Sequence, residues 1–453
     1  MRYWSEFCHD FQDKKVLVFG LGLQGGGVKV ANTLQAAGAQ VRVSDAKSAE
    51  ALAPSLAQLH PEIEVHVGEQ PAEDIAWAEY VIKNPGVPYE HPLMQQALGK
   101  NIPVLGETAL AIKYLRNHCI AVTGTRGKTT TSHLIFHFLQ AGHIPAVLAG
   151  NIPGKPLLAE LPTLDENTWA VVEIPSFQIE SFRYTKTSAH IAVITTLYPD
   201  HLNRYPNWEA YVRAKTDLLK YQQPGDVAVY QADRNWTKDI ETALAQGTES
   251  RPVSTKDRNQ LQQRFTSLLP GEHNWENIAL AYAVSQEFSL SDQVIQSVLN
   301  TFTGVPYRLE TIATKQGITY VNDTTSTTPV ALEKALDTYQ NRQFILIAGG
   351  GLKDLPFSPE LAQKMAQWPL ATVLLRGQGE QLVQRTWQEQ GIQPSRVETA
   401  DSLASAVQQA RQLAQELSAD VVLLSPGFLS FEMFNNEFDR GDQFNALVQQ
   451  LPD

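Results

Sequence analysis

The run Gly124-Thr125-Arg126-Gly127-Lys128-Thr129-Thr130 contains the residue types needed to hold a polyphosphate. Glycines let backbone N–H groups close around an anion, a lysine ammonium reaches terminal phosphates, and a hydroxyl beside it suits Mg²⁺. The run follows the apolar stretch Ile120-Ala121-Val122-Thr123 and precedes a helical pattern over Ser132–Leu139. That is the strand–loop–helix setting a phosphate loop requires. The longer consensus has a glycine where this chain has Val122, so the match is to the shorter form Gly-Thr-x-Gly-Lys-Thr. All seven residues are expected to cradle phosphates, with Lys128 reaching the terminal ones and Thr129 on the metal.

Other chemistry-bearing residues stand where strands should end. Glu173 closes Ala170-Val171-Val172, and Asp200-His201 follows Ile191-Ala192-Val193-Ile194. Ligands of doubly wound folds collect at the carboxyl ends of strands, so Glu173 and His201 are candidates for holding Mg²⁺ or ordering water. Lys215 lies in a helical run, Tyr211–Tyr221; taken alone it reads as a solvated lysine. A second glycine cluster, Gly20-Leu21-Gly22-Leu23-Gln24-Gly25-Gly26-Gly27, fits a dinucleotide fingerprint, with Asp45 at the end of the next strand. By itself it is compatible with NAD, FAD, another nucleotide or a structural tight turn.

The elements that must position these groups alternate strand and helix. Val16–Phe19, Val28–Ala37 and Val41–Ser44 read as a βαβ opening. The pattern restarts at Ile120 and again at Phe344-Ile345-Leu346-Ile347, which runs into Gly349-Gly350-Gly351 and has a partner strand in Val421–Leu424. The expected fold is α/β in three domains. An N-terminal Rossmann-like domain spans 1–117, a central P-loop ATPase-like domain with a mostly parallel sheet spans 118–302, and a C-terminal Rossmann-like domain spans 303–453. A chain of 453 residues, 43% hydrophobic and 19% charged, has the composition for such cores. Its net charge of −12 argues against a nucleic-acid partner. No run is apolar for long enough to insert in a membrane, and the N-terminal residues lack a signal pattern. Cys8 and Cys119, far apart, read as reduced thiols, so a cytoplasmic location is expected.

The ordered set of motifs resembles the Mur ligases. It comprises Gly124–Thr130, Glu173-Ile174-Pro175-Ser176-Phe177-Gln178, Asp200-His201-Leu202-Asn203-Arg204, Lys215, Gly271-Glu272-His273-Asn274-Trp275-Glu276-Asn277, Pro306-Tyr307-Arg308-Leu309-Glu310 and Asn322-Asp323. The blocks Leu424–Phe434 and Phe438-Asp439-Arg440-Gly441 resemble the glutamate-adding branch of that family. The resemblance implies ATP-dependent addition of D-glutamate to UDP-N-acetylmuramoyl-L-alanine through an acyl phosphate, in peptidoglycan synthesis. ATP, two Mg²⁺ ions and a CO₂-derived carbamate on Lys215 are implied, and a monomer is expected.

Carried onto this chain, Lys128, Glu173, His201 and Lys215 are catalytic, and Thr129, Glu173, His201 and carbamylated Lys215 hold metal. Asn274, Asn277, Arg308 and Asp323 join the phosphate loop on ATP. Gly22, Leu23, Gln24, Asp45, Asn84, Gly86, Asn151, Ser176 and Gln178 take the UDP substrate. Thr327, Lys353, Ser430 and Phe438 take the amino acid. The chain departs from the family pattern in three places: Pro175 replaces a serine, Thr325 a lysine and Leu352 an aspartate. Addition of L-glutamate or another amino acid, folate polyglutamylation, an NAD-dependent oxidoreductase and a silent UDP-sugar binder are the rival readings.

Overall fold

The computed structural model describes residues 2–23, 25–152, 154–198, 204–269, 271–352, 356–430 and 433–452. The chain forms two compact units, Met1–Phe302 and Thr303–Asp453.

The first unit holds two parallel sheets. In spatial order the first is Glu64–Val67, Gln40–Asp45, Lys15–Phe19, Tyr80–Lys83, Val104–Leu105. The second is Glu249–Val253, Val227–Gln231, Ile191–Ile194, Cys119–Thr123, Trp169–Glu173, Ala146–Gly150. Cys119–Thr123 and Ile191–Ile194 are buried at every position, as expected of short apolar runs covered by helices on both faces. One continuous apolar cluster joins the two sheets. It runs from Val16 and Val18 through Leu110 and Ile112 of the helix Glu107–Leu115, then Leu157 and Leu161, to Ala121 and Ala170. This shared core is why two sheets make one unit. The helix Arg2–Phe11, which the sequence reading did not mark, feeds the same cluster through Phe7 and Phe11, whose rings stack 4.6 Å apart.

The second unit has one sheet, in the order Glu310–Lys315, Ile318–Asn322, Val421–Leu424, Phe344–Gly349, Ala371–Leu375, Val397–Ala400. Only the hairpin of the first two strands is antiparallel. Phe344 lies beside Val421, the strand pairing expected from the sequence. Four of its helices start on side-chain caps: Thr328, Ser358, Ser402 and Asn436 each accept a first-turn N–H.

In each sheet the chain reverses its direction of travel at a central strand. A glycine run follows that strand every time: after Lys15–Phe19, after Cys119–Thr123 and after Phe344–Gly349. These are the switch points where open α/β sheets leave a crevice for ligand.

Candidate active site

The phosphate loop connects the buried strand Cys119–Thr123 to the helix Lys128–Ala141. Its shape depends on two glycines. Gly124 has φ 151°, and a Cβ there would fall on Thr195 Oγ1. Gly127 caps the helix at φ 84°, and a Cβ there would fall on Asn277 Oδ1. The loop is pinned from the neighbouring strand end. Thr125 N–H donates to Thr196 O at 2.7 Å, Arg126 N–H to Thr196 Oγ1 at 2.9 Å, and Thr195 Oγ1 to Arg126 O at 2.5 Å. Thr125 Oγ1 also pairs with the Tyr211 hydroxyl at 2.9 Å. The helix's own first-turn N–H groups remain to face an anion.

Two lysines converge on the loop. Lys128 Nζ donates to Gly124 O at 3.0 Å and to Thr125 O at 3.2 Å. Lys215, 2% exposed, donates to the same Gly124 O at 2.8 Å. It is a buried lysine, contrary to its bland reading. Glu173 ends the adjacent strand Trp169–Glu173 and is 3% exposed. Its Oε1 accepts from Asn151 Nδ2 at 3.0 Å, whereas its buried Oε2 has no hydrogen-bond partner. A buried carboxylate oxygen with no hydrogen-bond donor among the described residues fits a divalent cation. Asn277, on the helix Glu272–Glu287, stands beside Gly127, and its Nδ2 donates to Asn274 Oδ1 of the same helix at 3.1 Å. His201 lies outside the described residues, as do Gln24 and Lys353.

The first glycine cluster forms a second loop. Asn84 packs over it: a Cβ on Gly20 would lie 2.8 Å from Asn84 Cβ, and one on Gly22 would lie 3.4 Å from Asn84 Nδ2. Asn84 Oδ1 accepts the Gly86 N–H at 2.9 Å, so Gly22, Asn84 and Gly86 come together. Leu23 is exposed at this rim. Asp45, expected to offer oxygens to a sugar or base, also holds the loop in shape. Its Oδ2 accepts from Leu21 N–H (2.8 Å) and Gly22 N–H (3.1 Å), and its Oδ1 from Lys47 N–H (2.9 Å). It staples the loop shut. Ser176 and Gln178 are buried on the short helix Ser176–Ile179, and Gln178 Oε1 lies 3.1 Å from Thr108 Oγ1.

In the second unit, Asp323 follows the strand Ile318–Asn322 and is 5% exposed. Burial pushes its carboxyl up to about 7 although Ser425 Oγ and Leu309 N–H donate to it. Arg308 is exposed nearby in sequence, and Thr327 is half-buried. Phe438 meets Tyr307 edge to face at 5.6 Å. Ser430 is buried, and its hydroxyl has no hydrogen-bond partner among the described residues. Thr325, which replaces the family's lysine, spends its hydroxyl on Tyr307 O at 2.9 Å.

Several supporting residues escaped the sequence reading. Thr195 and Thr196 obey the same strand-end rule that marked Glu173, so the signal for them existed. Lys83 carried none. It is buried, donates to Val87 O at 2.9 Å beneath the Asn84–Gly86 turn, and burial pulls its ammonium down to about 8.

Three domain models cover most of the chain. The Mur ligase MurD-like N-terminal domain matches residues 14–106, the Mur ligase middle domain 122–266, and the Mur ligase glutamate ligase domain 307–428. The UDP-N-acetylmuramoylalanine–D-glutamate ligase of Roseiflexus sp. (strain RS-1) is 35% identical, with 97% of this chain and 99% of the relative covered. The chain belongs to the Mur ligase family. As a member it is an ATP-dependent ligase. The ligase of the same name from Streptococcus agalactiae serotype III is also 35% identical, over 97% of this chain and 98% of that one. Among solved structures, the UDP-N-acetylmuramate–alanine ligase MurC of Thermotoga maritima aligns with a TM-score of 0.57 at 18% identity, covering 96% of this chain and 99% of that one. MurF of the same organism, in complex with ADP, gives 0.56 at 14% identity over 98% and 97%. These share the three-domain Mur fold. No helix among the described residues is long and apolar enough to cross a membrane.

Proposed function

We propose that this chain adds D-glutamate to UDP-N-acetylmuramoyl-L-alanine, consuming ATP, as a step of peptidoglycan synthesis in the cytoplasm. The observation that carries the reading is the phosphate loop, with Lys128, Lys215 and the open Oε2 of Glu173 around it, in a chain alike along its length to relatives named for that reaction.

The chemistry runs in two steps. An oxygen of the alanyl carboxylate attacks the γ-phosphorus of ATP, ADP leaves, and an acyl phosphate forms. The glutamate amine then attacks the acyl carbon, the C–O bond to phosphate breaks, and inorganic phosphate and a proton are released. A bare carboxylate has no adequate leaving group at neutral pH, and phosphorylation provides one. The protein's contribution is alignment and neutralisation of charge. Gly124 to Thr130 wrap the phosphates, and Lys128 exchanges its carbonyl partners for phosphate oxygens. Asn274, Asn277, Arg308 and Asp323 contact the rest of the nucleotide. Gly22, Leu23, Gln24, Asn84, Gly86, Asn151, Ser176 and Gln178 hold the UDP substrate, with Asp45 fixing the loop that carries the first of them. Thr327, Lys353, Ser430 and Phe438 receive glutamate.

Thr129, Glu173, His201 and Lys215 would hold Mg²⁺, which when bound supplies further neutralisation of the triphosphate. Lys215 does so as a carbamate. Two ammonium groups sharing Gly124 O repel each other, and conversion of one to an anion removes that repulsion. A carbonyl carbon resonance from ¹³C-bicarbonate, lost in Lys215→Arg, is the expected signature; an unlabelled Lys215 under saturating CO₂ and Mg²⁺–ADP contradicts it.

The substrate assignment is tested by phosphate release with UDP-N-acetylmuramoyl-L-alanine, ATP and a panel of amino acids of both hands. D-glutamate is expected to be preferred, giving a product heavier by one glutamyl residue. Preference for L-glutamate or a neutral amino acid overturns the acceptor assignment and leaves the ligase chemistry standing.

A further inference from the structure

The second unit buries a cation with no carboxylate of the described residues against it. Arg440, in the first turn of the helix Glu437–Gln449, is 0% exposed. Its Nε donates to Thr324 Oγ1 at 3.0 Å and its Nη2 to Thr324 O at 2.9 Å. Phe428 O lies at 3.4 Å from Nη1 and 3.5 Å from Nη2. Every one of these acceptors is neutral. Among the described residues no carboxylate is within ion-pair distance; Glu437 and Asp323 are felt only through space. Burial drags the guanidinium down to about 10. A buried charge held by neutral dipoles and by the Phe434 ring, 6.0 Å from its Cζ, weighs against folding, and apolar replacements of similar volume are often neutral or stabilising.

Arg440 sits where three loops meet at the switch point of the sheet. Gly351 N–H donates to Leu429 O at 2.8 Å, Leu429 N–H to Gly351 O at 2.9 Å, and Gly427 N–H to Ser326 O at 2.7 Å. Gly350 comes so close that a Cβ on it would fall on Leu429 O and lie 3.5 Å from Arg440 Nη1. The same loop cluster carries Ser430, whose buried hydroxyl has no partner among the described residues. An unneutralised cation and an unused hydroxyl therefore belong to one loop cluster. Thr325, at the position of the family's lysine, brings no charge to it.

We infer that Arg440 is a positioning residue whose buried charge selects an anionic amino acid, setting the potential of the acceptor crevice while tying the Thr324 and Phe428 loops together. The inference rests on the proposed use of glutamate. It assigns the electrostatic role to a residue that need not touch the substrate. A positive potential in a site walled by low-dielectric protein draws an amino acid with two carboxylates more strongly than the same charge at a surface.

The test compares Arg440→Met and Arg440→Lys in the full chain, measuring KM for D-glutamate, ATP and UDP-N-acetylmuramoyl-L-alanine, with Tm alongside. Arg440→Met is expected to keep or raise Tm and to raise the D-glutamate KM about tenfold or more, with the other two KM values within about twofold. Arg440→Lys, which retains charge and loses the fork, is expected within about threefold of wild type for D-glutamate. If Arg440→Met does not fold, Arg440→Gln, which keeps a donor to Thr324 without charge, is read in its place. Equal impairment of the lysine and uncharged variants, or a D-glutamate KM untouched by loss of charge, overturns the inference. A wild-type enzyme that releases no phosphate with glutamate instead overturns the reading beneath it.

Discussion

At the scale of single residues, the groups that touch phosphate declare themselves by type and spacing, because few side chains can do that work. Lys128 is proposed for the phosphates on that ground. Lys128→Ala is expected to cost about a hundredfold or more in kcat at saturating ATP, since one preorganised cation beside a developing charge is worth that much. Near-normal turnover would mean that the loop serves another purpose. Glu173→Gln keeps the side chain's shape and removes its open anionic oxygen. The Mg²⁺ concentration for half-maximal rate is expected to rise about tenfold or more, with Tm nearly unchanged. Residues whose partners are backbone groups were not legible. Asp45 was read for a sugar or base contact, and the Leu21, Gly22 and Lys47 amides that its oxygens accept were not foreseen. Asp323 adds a pH signature. Its folded carboxyl titrates near 7, well above its unfolded value, so between about pH 4 and 7 the folded chain holds a proton that the unfolded chain has released. Stability therefore falls as pH rises across that window, and Asp323→Asn should flatten the fall. Thermal melts from pH 4 to 8 check this; a slope that the substitution leaves intact refutes it.

At the scale of elements, buried parallel strands were readable because they are short unbroken apolar runs, and the glycine loops because they follow those runs directly. What holds a loop in shape was harder to read, because it comes from other parts of the chain. Thr195, Thr196, Tyr211 and Asn277 all press on the phosphate loop from distant sequence positions. Gly127→Ala probes that packing. The added methyl meets Asn277 in a backbone conformation that costs about 1–2 kcal/mol for an L side chain. ADP affinity is expected to drop about tenfold. Gly99→Ala is the control, since Gly99 ends the helix Pro92–Gly99 with nothing within 4 Å of a new Cβ. It should leave ADP affinity alone and hold or raise Tm. Calorimetric titration that finds both variants alike contradicts the packing account.

At the scale of the molecule, three α/β restarts were visible because each repeats the same order of buried strand, glycine turn and helix. The sharing of one apolar core by the first two sheets was not visible. It is carried by Leu110 and Ile112 on one helix and by Leu157 and Leu161 further along, whose partners lie on both sheets. Nothing in a linear pattern announces a contact of that range. The three sheets present their glycine loops at switch points, and the account as a whole claims that this architecture activates a carboxylate as an acyl phosphate before an amine takes its place. The most direct test uses UDP-N-acetylmuramoyl-L-alanine labelled with ¹⁸O in the alanyl carboxylate, with ATP, Mg²⁺ and D-glutamate. The account predicts that each released phosphate carries one oxygen from that carboxylate, in step with amide formation. Phosphate whose new oxygen comes from water, or an amide formed with no label in phosphate, would contradict it.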